Sequence, residues 1–480
     1  MTDPVAVAPA PAAPARARRS RAITILSAAL LLAFAGFLVR LHTAEPRLAG
    51  VAEPERALAL LVGRTMDVET ALTAAPGWER RLYALTLGDS GREIDQAIAW
   101  YEELADYSLA PEVDLRLAVL RGEAGQLDAL RRTVGQWETR GEPLSSYAAV
   151  LAAVYLDADE VDPEDVGAAL ETLGPGWFAD ALALRLSVRF DEPGLGEAAR
   201  RSIASRAGPL LWKLRALTAF DVALVVAGLI ALGALRRRPP EAHAVAEAPL
   251  PPPWPFGAGL ATLVRGGAIS ALALIALLAG DQWLAQRPLL AEALDAPILY
   301  VPVVLLAWRA LVVPSGTRFV AAFGLRPRPG GWRPLLLATA ALIAAGAVLD
   351  VVVGLASSWL GLESHWAEWF DADLAWGPPA AVALTLLGTV VLAPVCEELI
   401  FRGLLYGTLR VRLGRWLAAL VSATIFAIAH GYGAVGFVSV FASAVLWAWA
   451  YERTGSLLPS MAAHVANNAA VGLTFLWLLR

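Results

Sequence analysis

Apolar and polar positions fall into blocks along this chain. Residues 1–21 are rich in Pro and Ala and close on Arg16, Arg18, Arg19 and Arg21. The 18 residues from Ala22 to Val39 then carry no charge. That run is longer than the apolar part of a secretory signal and has no small-residue cleavage site after it, so it predicts a membrane anchor. Between 43 and 208 the pattern becomes amphipathic. In Glu93–Tyr107, Ile94, Ala97, Ile98, Tyr101 and Leu104 recur at three- and four-residue spacing, which predicts a helix with one buried face. Glu112–Arg121 and Gln126–Trp137 continue the pattern, with Gly122, Gly125 and Gly141 as breaks. A second apolar run, from Ala219 to Leu235, stops at Arg236–Arg238, and a Pro-rich stretch, Pro239–Gly257, follows. From 258 the chain is mostly apolar, and spans are predicted at 260–280, 296–313, 335–359, 380–409, 416–431, 435–451 and 457–479.

The fold class this predicts is all-α. It is a polytopic membrane helical bundle with an N-terminal anchor span and an extramembrane α-helical domain. The divisions are an Arg-rich tail at 1–21, the anchor at 22–41, the helical domain at 43–208, a second span at 209–238, a Pro-rich linker at 239–257 and a membrane core at 258–480. Short helices separated by Gly, Pro and Asp make the 43–208 domain similar to tetratricopeptide repeats, although the 34-residue period is uneven and a generic helical bundle fits as well. The linker reads as semi-rigid and cytoplasmic, with His243 solvated in it.

Composition agrees with this layout. The chain is 57% hydrophobic with mean hydropathy +0.56, which excludes a purely soluble protein. Basic residues are nearly all Arg, Lys213 being the sole lysine. The single cysteine, Cys396, excludes an intrachain disulfide framework and any multi-cysteine metal site, and reads as a packing residue. The net charge of -5 is unevenly spread, with 29 acidic against 16 basic residues in 43–208. Arginine clusters stay in the cytoplasm, so the N-terminus is expected inside and the acidic helical domain outside a bacterial cytoplasmic (inner) membrane. That domain groups no catalytic residues and is expected to bind a peptide or protein partner. No nucleic-acid partner is expected.

Charge inside the apolar C-terminal part asks for an explanation, because each Asp or Arg costs roughly 2.5–3.5 kcal/mol at the bilayer centre on insertion scales. Three groups fall there: Glu397, Glu398 and Arg402 in CEELIFRGLL; His430 closing FAIAH; and His464 with Asn467 and Asn468 in HVANN. Glu398 and Arg402 are four apart and can pair on a helix. Glu397 is rotated about 100° from Glu398 and faces elsewhere. On straight spans Glu397 lies about 26 Å along its helix, His430 about 21 Å and His464 about 10 Å along theirs, so alternating directions can bring them to one layer. Pro394 leaves open a helix that ends near Glu397 instead. A carboxylate in a partly dry site holds protons more readily than in water and can take one from a hydrolytic water. Imidazoles can hold that water, polarise a carbonyl or bind a metal, and an asparagine amide can steady an oxyanion. Such chemistry suits peptide-bond hydrolysis.

In this order on successive membrane helices, EExxxR (Glu397, Glu398, Arg402), FxxxH (Phe426, His430) and HxxxN (His464, Asn468) resemble the CPBP family of CAAX-processing and bacteriocin-processing intramembrane proteases, also called the ABI family. The resemblance covers roughly 380–475 and, more loosely, the membrane core from 258. It implies an intramembrane endopeptidase acting on a peptide or protein substrate at the lipid bilayer. Glu397 would activate water, His430 and His464 would line the site, Asn468 would complete it, and Glu398 with Arg402 would brace it. The family is often described as metalloproteases. Glu397, His430 and His464 could supply three ligands to Zn2+ with an open fourth position, while a metal-independent glutamate–histidine site fits the same residue types. Two other readings are a catalytically silent membrane scaffold or immunity-type protein whose helical domain binds partners, and an aspartyl protease or proton-coupled transporter using Asp281 and Asp350. No GxGD-like motif supports the last.

Overall fold

In a computed structural model of the chain, which describes residues 13–44, 47–86, 90–158, 160–279 and 286–480, the regular elements are helices throughout. Helix α1, Ala13–Ala44, contains the anchor. Eight helices of 10 to 20 residues follow: α2 Pro54–Thr73, α3 Gly77–Thr86, α4 Ser90–Tyr107, α5 Pro111–Glu123, α6 Leu127–Trp137, α7 Leu144–Tyr155, α8 Pro163–Leu173 and α9 Trp177–Arg189. Pro opens α2, α5 and α8, where its missing N–H costs nothing. The amphipathic reading of 93–107 matches the burial of Ala97, Ile98, Tyr101 and Leu104 on one face of α4.

An open solenoid would leave each helix pair touching only its neighbours. Here α2 packs against α9 as well as α4, and α5 reaches α7, α8 and α9, so the first and last helices of the array close on one another around a shared core. This arrangement is a closed helical cluster.

Eight helices among the described residues are long and apolar enough to cross a membrane, and the protein is a polytopic helical membrane protein. Helix α10, Pro193–Arg236, begins beside the helical cluster and runs on without a break as the second span, so that span does not start afresh near 209. Gly228 of α10 lies where a Cβ would meet the Ala344 Cβ at 2.0 Å and the Ala340 carbonyl at 2.6 Å. A small residue there lets two membrane helices cross at close range. The other spans are α11 Phe256–Ala279, α12 Pro288–Ala307, α13 Trp332–Leu360, and the long run Pro379–Ala429. Gly414 (φ 68°) breaks that run into α14, residues 379–413, and α15, residues 415–429. A left-handed φ is easily reached by glycine, so the chain can turn there without strain. Helices α16 Ala434–Thr454 and α17 Leu458–Leu479 complete the bundle. The anchor packs on α11, where Arg265 reaches the Ser20 and Thr24 hydroxyls at 2.8 and 2.6 Å.

The two ends of the bundle differ in chemistry. At one end the arginine-bearing turns near 236–238, 318–333 and 410–415 gather around the 239–257 stretch. That stretch is not a solvated linker. Val245 and Ala246 donate to the Thr454 carbonyl, Ala248 donates to Gly455, and Arg328 N–H donates to Val245, while Val245 and Trp254 are buried. Prolines fix an extended backbone whose unused N–H groups pair with the α16–α17 turn. His243 packs there too, its Nε2 2.9 Å from the Leu235 carbonyl, contrary to its expected solvation. At the other end the helical cluster sits on the 361–378 loop. Trp366 of that loop is fully buried within the cluster's core, which also takes in Leu479 of α17. Asp281 lies outside the described residues.

Candidate active site

Helix α14 is not a regular helix. Residues Leu387–Leu392 and Glu398–Tyr406 form π turns flanking the short α-helical piece Ala393–Glu397. In the first, the Ala393 N–H is taken by the Gly388 carbonyl, five residues back. Pro394 has no N–H to offer, so the Thr389 carbonyl has no donor in either register. Asn468 of α17 supplies one, its Nδ2 donating to the Thr389 carbonyl at 2.9 Å. This amide therefore ties α17 to the irregular turn that precedes Glu397. Replacing Asn468 with Ala strands that carbonyl and is expected to cost about 1–3 kcal/mol of stability, seen as a lower melting temperature in detergent. A loss of turnover with an unchanged melt would instead assign the amide to the reacting oxygen.

The widened helix then presents two glutamates in different directions. Glu398 is fully buried and Arg402 is 2% exposed, with Arg402 Nη1 2.9 Å from Glu398 Oε1. The guanidinium lies against the Phe426 ring at 4.1 Å and the Trp447 ring at 4.9 Å. Charge proximity and two aromatic faces hold it, since Nη1, Nη2 and the second Glu398 oxygen make no well-aligned hydrogen bond. Gly403, next in the chain, lets the Phe323 ring pack on the helix, as a Cβ there would meet that ring at 2.8 Å.

Glu397 faces His464. Its Oε2 is 3.7 Å from His464 Nε2, and its Oε1 accepts a 2.5 Å hydrogen bond from the Tyr300 hydroxyl on α12. His464 Nδ1 lies 3.3 Å from Glu398 Oε1, and its ring stacks on Trp447 with centroids 4.1 Å apart. A carboxylate can only accept, so the proton on His464 Nδ1 points to Glu398 and Nε2 is left toward Glu397. A row of polar side chains, Arg402, Glu398, His464, Glu397 and Tyr300, thus runs through the buried core from three helices. Tyr300 was not marked by sequence reasoning. Its signal was faint, a single polar tip inside the apolar run ILYVPVV. Because a hydrogen bond to a charged group contributes about 1.5–3 kcal/mol to stability, Tyr300→Phe is expected to lower the melting temperature in detergent accordingly.

His430 stands one turn nearer the helical cluster than Phe426. Its Nδ1 is 2.8 Å from the Phe426 carbonyl, which fixes the ring's proton there and leaves Nε2 as an acceptor. Phe426 lies between the histidines, 4.5 Å from the His430 ring and 6.1 Å from the His464 ring. Next in the chain, burial and the Glu397 and Glu368 carboxylates push the Tyr432 phenol up from its ordinary range. Glu397 and His464 thus approach to 3.7 Å, whereas His430 lies on the other side of Phe426 from His464. Among the described residues no three His, Cys, Asp or Glu side chains gather as a metal-binding group. His430 Nε2 and His464 Nε2 remain acceptors and, with the Glu397 carboxylate, are the groups that would hold a metal here. Asp350 sits apart on α13, where its Oδ1 accepts from Ser439 at 2.8 Å.

Comparison with known proteins converges on the same stretch. Residues 379–470 match the family described as type II CAAX prenyl endopeptidase Rce1-like. The chain is 31% identical over 98 residues to the "Putative membrane peptidase YdiL" of Bacillus subtilis (strain 168), covering 19% of this chain and 37% of that protein. It is 33% identical over 98 residues to an "Uncharacterized 24.3 kDa protein" of Escherichia coli, covering 20% of this chain and 45% of that one. The chain thus spans less than half the length of either relative. No solved structure matches. Glu397, Glu398, Arg402, His430, His464 and Asn468 all lie inside the matched residues, so the similarity to the CAAX prenyl endopeptidase Rce1-like family falls on the stretch that builds this site.

Proposed function

We propose that the protein is an intramembrane endopeptidase that hydrolyses a peptide bond of a membrane-associated substrate with water activated by Glu397. The observation that carries this reading is the approach of Glu397 Oε2 to His464 Nε2 at 3.7 Å in the buried core. That distance is too long for a direct hydrogen bond and suits two groups sharing one water oxygen. Tyr300 occupies Oε1, so Oε2 is the basic atom. Glu397 takes a proton from the water as its oxygen attacks the carbonyl carbon. The C–N bond then breaks and the same proton passes from Glu397 to the leaving nitrogen. His464, steadied by Glu398 and Trp447, holds the water, and His430 lines the approach from the helical cluster. Arg402 braces Glu398. Asn468 serves this site by fixing the backbone ahead of Glu397.

Glu397 Oε2 and His464 Nε2 can hold the attacking water between them without a metal. Incubation with a chelator is accordingly expected to leave turnover unchanged, and a loss that Zn2+ restores would overturn that part. The gathering of arginine-bearing turns at the end opposite the helical cluster supports a cytoplasmic N-terminus and an extracytoplasmic cluster. The experiment for the activity compares peptide termini in membranes of cells making the wild-type chain and the Glu397→Gln chain at equal abundance. New termini present with the wild type and lost with the variant are expected. Identical sets would favour the silent scaffold.

A further inference from the structure

The turn after α15 carries His430 and Tyr432 and is thinly held by its own backbone. The helix frays there, with His430 N–H reaching Ala427 at 3.3 Å and Gly431 N–H reaching Ile428 at 3.1 Å, and Gly431 takes φ 68°. A tie from outside arrives at Gly433, whose N–H donates to Glu368 Oε2 at 3.1 Å. The fit is close enough that a Cβ at position 433 would come within 2.8 Å of the Glu368 carboxylate.

Glu368 belongs to the 361–378 loop, and that loop is anchored firmly on its other face. Trp366 is fully buried in the core of the helical cluster. His365 accepts the Ala367 N–H on Nδ1, so its Nε2 proton points at Glu103 Oε2, 2.9 Å away on α4. Gln96, also on α4, donates to Glu363 at 2.8 Å. Within the six residues 363–368 the chain is bolted to the helical cluster and to the turn bearing His430.

We propose that Glu368 is a positioning residue for His430, holding the Gly431–Gly433 turn through a loop that the helical cluster keeps rigid. The role rests on His430 lining the proposed active site, but its test does not. In full-length protein in detergent, the rate of His430 carbethoxylation by diethyl pyrocarbonate is followed by peptide mass spectrometry, together with amide hydrogen exchange over 430–437. Glu368→Ala is expected to speed both at least fivefold, while His464 carbethoxylation stays at the wild-type rate as an internal reference. Glu368→Gln keeps an oxygen that accepts the Gly433 N–H and is expected to return both to within twofold of wild type, which a loss of general stability would not allow. The proposal is overturned if Glu368→Ala leaves His430 reactivity and exchange unchanged, or if Glu368→Gln behaves like Glu368→Ala. Identical peptide termini with the wild type and Glu397→Gln would refute the proposed role of Glu397 without touching this result.

Discussion

Glu397→Gln is expected to lower peptide-bond turnover by about 10² to 10⁴-fold, the usual contribution of a positioned general base, while the protein folds and accumulates normally. The substitution is nearly isosteric. The Gln oxygen can still accept the Tyr300 hydroxyl at the place where Glu397 accepts it now. What it removes is the basic atom facing His464, and with it the ability to take a proton from water. Glu397→Asp tests geometry as well as basicity, because one methylene less withdraws the carboxylate from Tyr300 and from His464 together, and it should be impaired without being silent. Single-turnover cleavage of a substrate identified from the lost termini, in proteoliposomes at equal protein, makes the measurement. Turnover in Glu397→Gln within threefold of wild type would remove Glu397 from the chemistry, and Asp350, hydrogen-bonded to Ser439 on another pair of helices, would become the carboxylate to examine.

The parts of this site that the sequence exposed are those whose signal is local. Charge in an apolar run marked Glu397, Glu398 and Arg402, and four-residue spacing paired the latter two, as the 2.9 Å contact has it. The identity of the second partner of each group was not legible, because it comes from a distant helix. Tyr300 reaches Glu397 across 97 positions and Glu368 reaches Gly433 across 65. Straight-helix arithmetic allowed Glu397, His430 and His464 to share one layer, yet it assumed regular 3.6-residue turns through 380–409. The π turns at Leu387–Leu392 and Glu398–Tyr406 change the rotation per residue there, and His430 falls past the end of α15. Pro394 did signal irregularity. Its consequence, a stranded Thr389 carbonyl that Asn468 satisfies, depends on a register that composition does not reveal. In the same way the prolines of 239–257 pointed to a stiff extended segment, but what an extended segment pairs with is decided by the neighbouring α16–α17 turn.

The largest expected effect on stability comes from separating Glu398 and Arg402. Both are buried, and removing one charge leaves the other without compensation in a core from which water is excluded, at a cost of about 3–5 kcal/mol. Glu398→Gln alone should therefore lower the melting temperature in detergent markedly, and Arg402→Met alone should do the same from the other side. Combining them removes both charges and keeps the approximate volume, so the double variant is expected to recover more than half of the loss. Buried pairs replaced together by neutral groups are often no worse than the originals. Turnover should not recover with it. His464 Nδ1 would face a neutral amide oxygen in place of a carboxylate, and charge-assisted hydrogen bonds are about twice as strong as neutral ones, so a folded double variant should remain roughly tenfold slow. If its turnover returns to wild type along with its stability, the pair is a structural clamp alone and His464 is oriented by its stacking on Trp447.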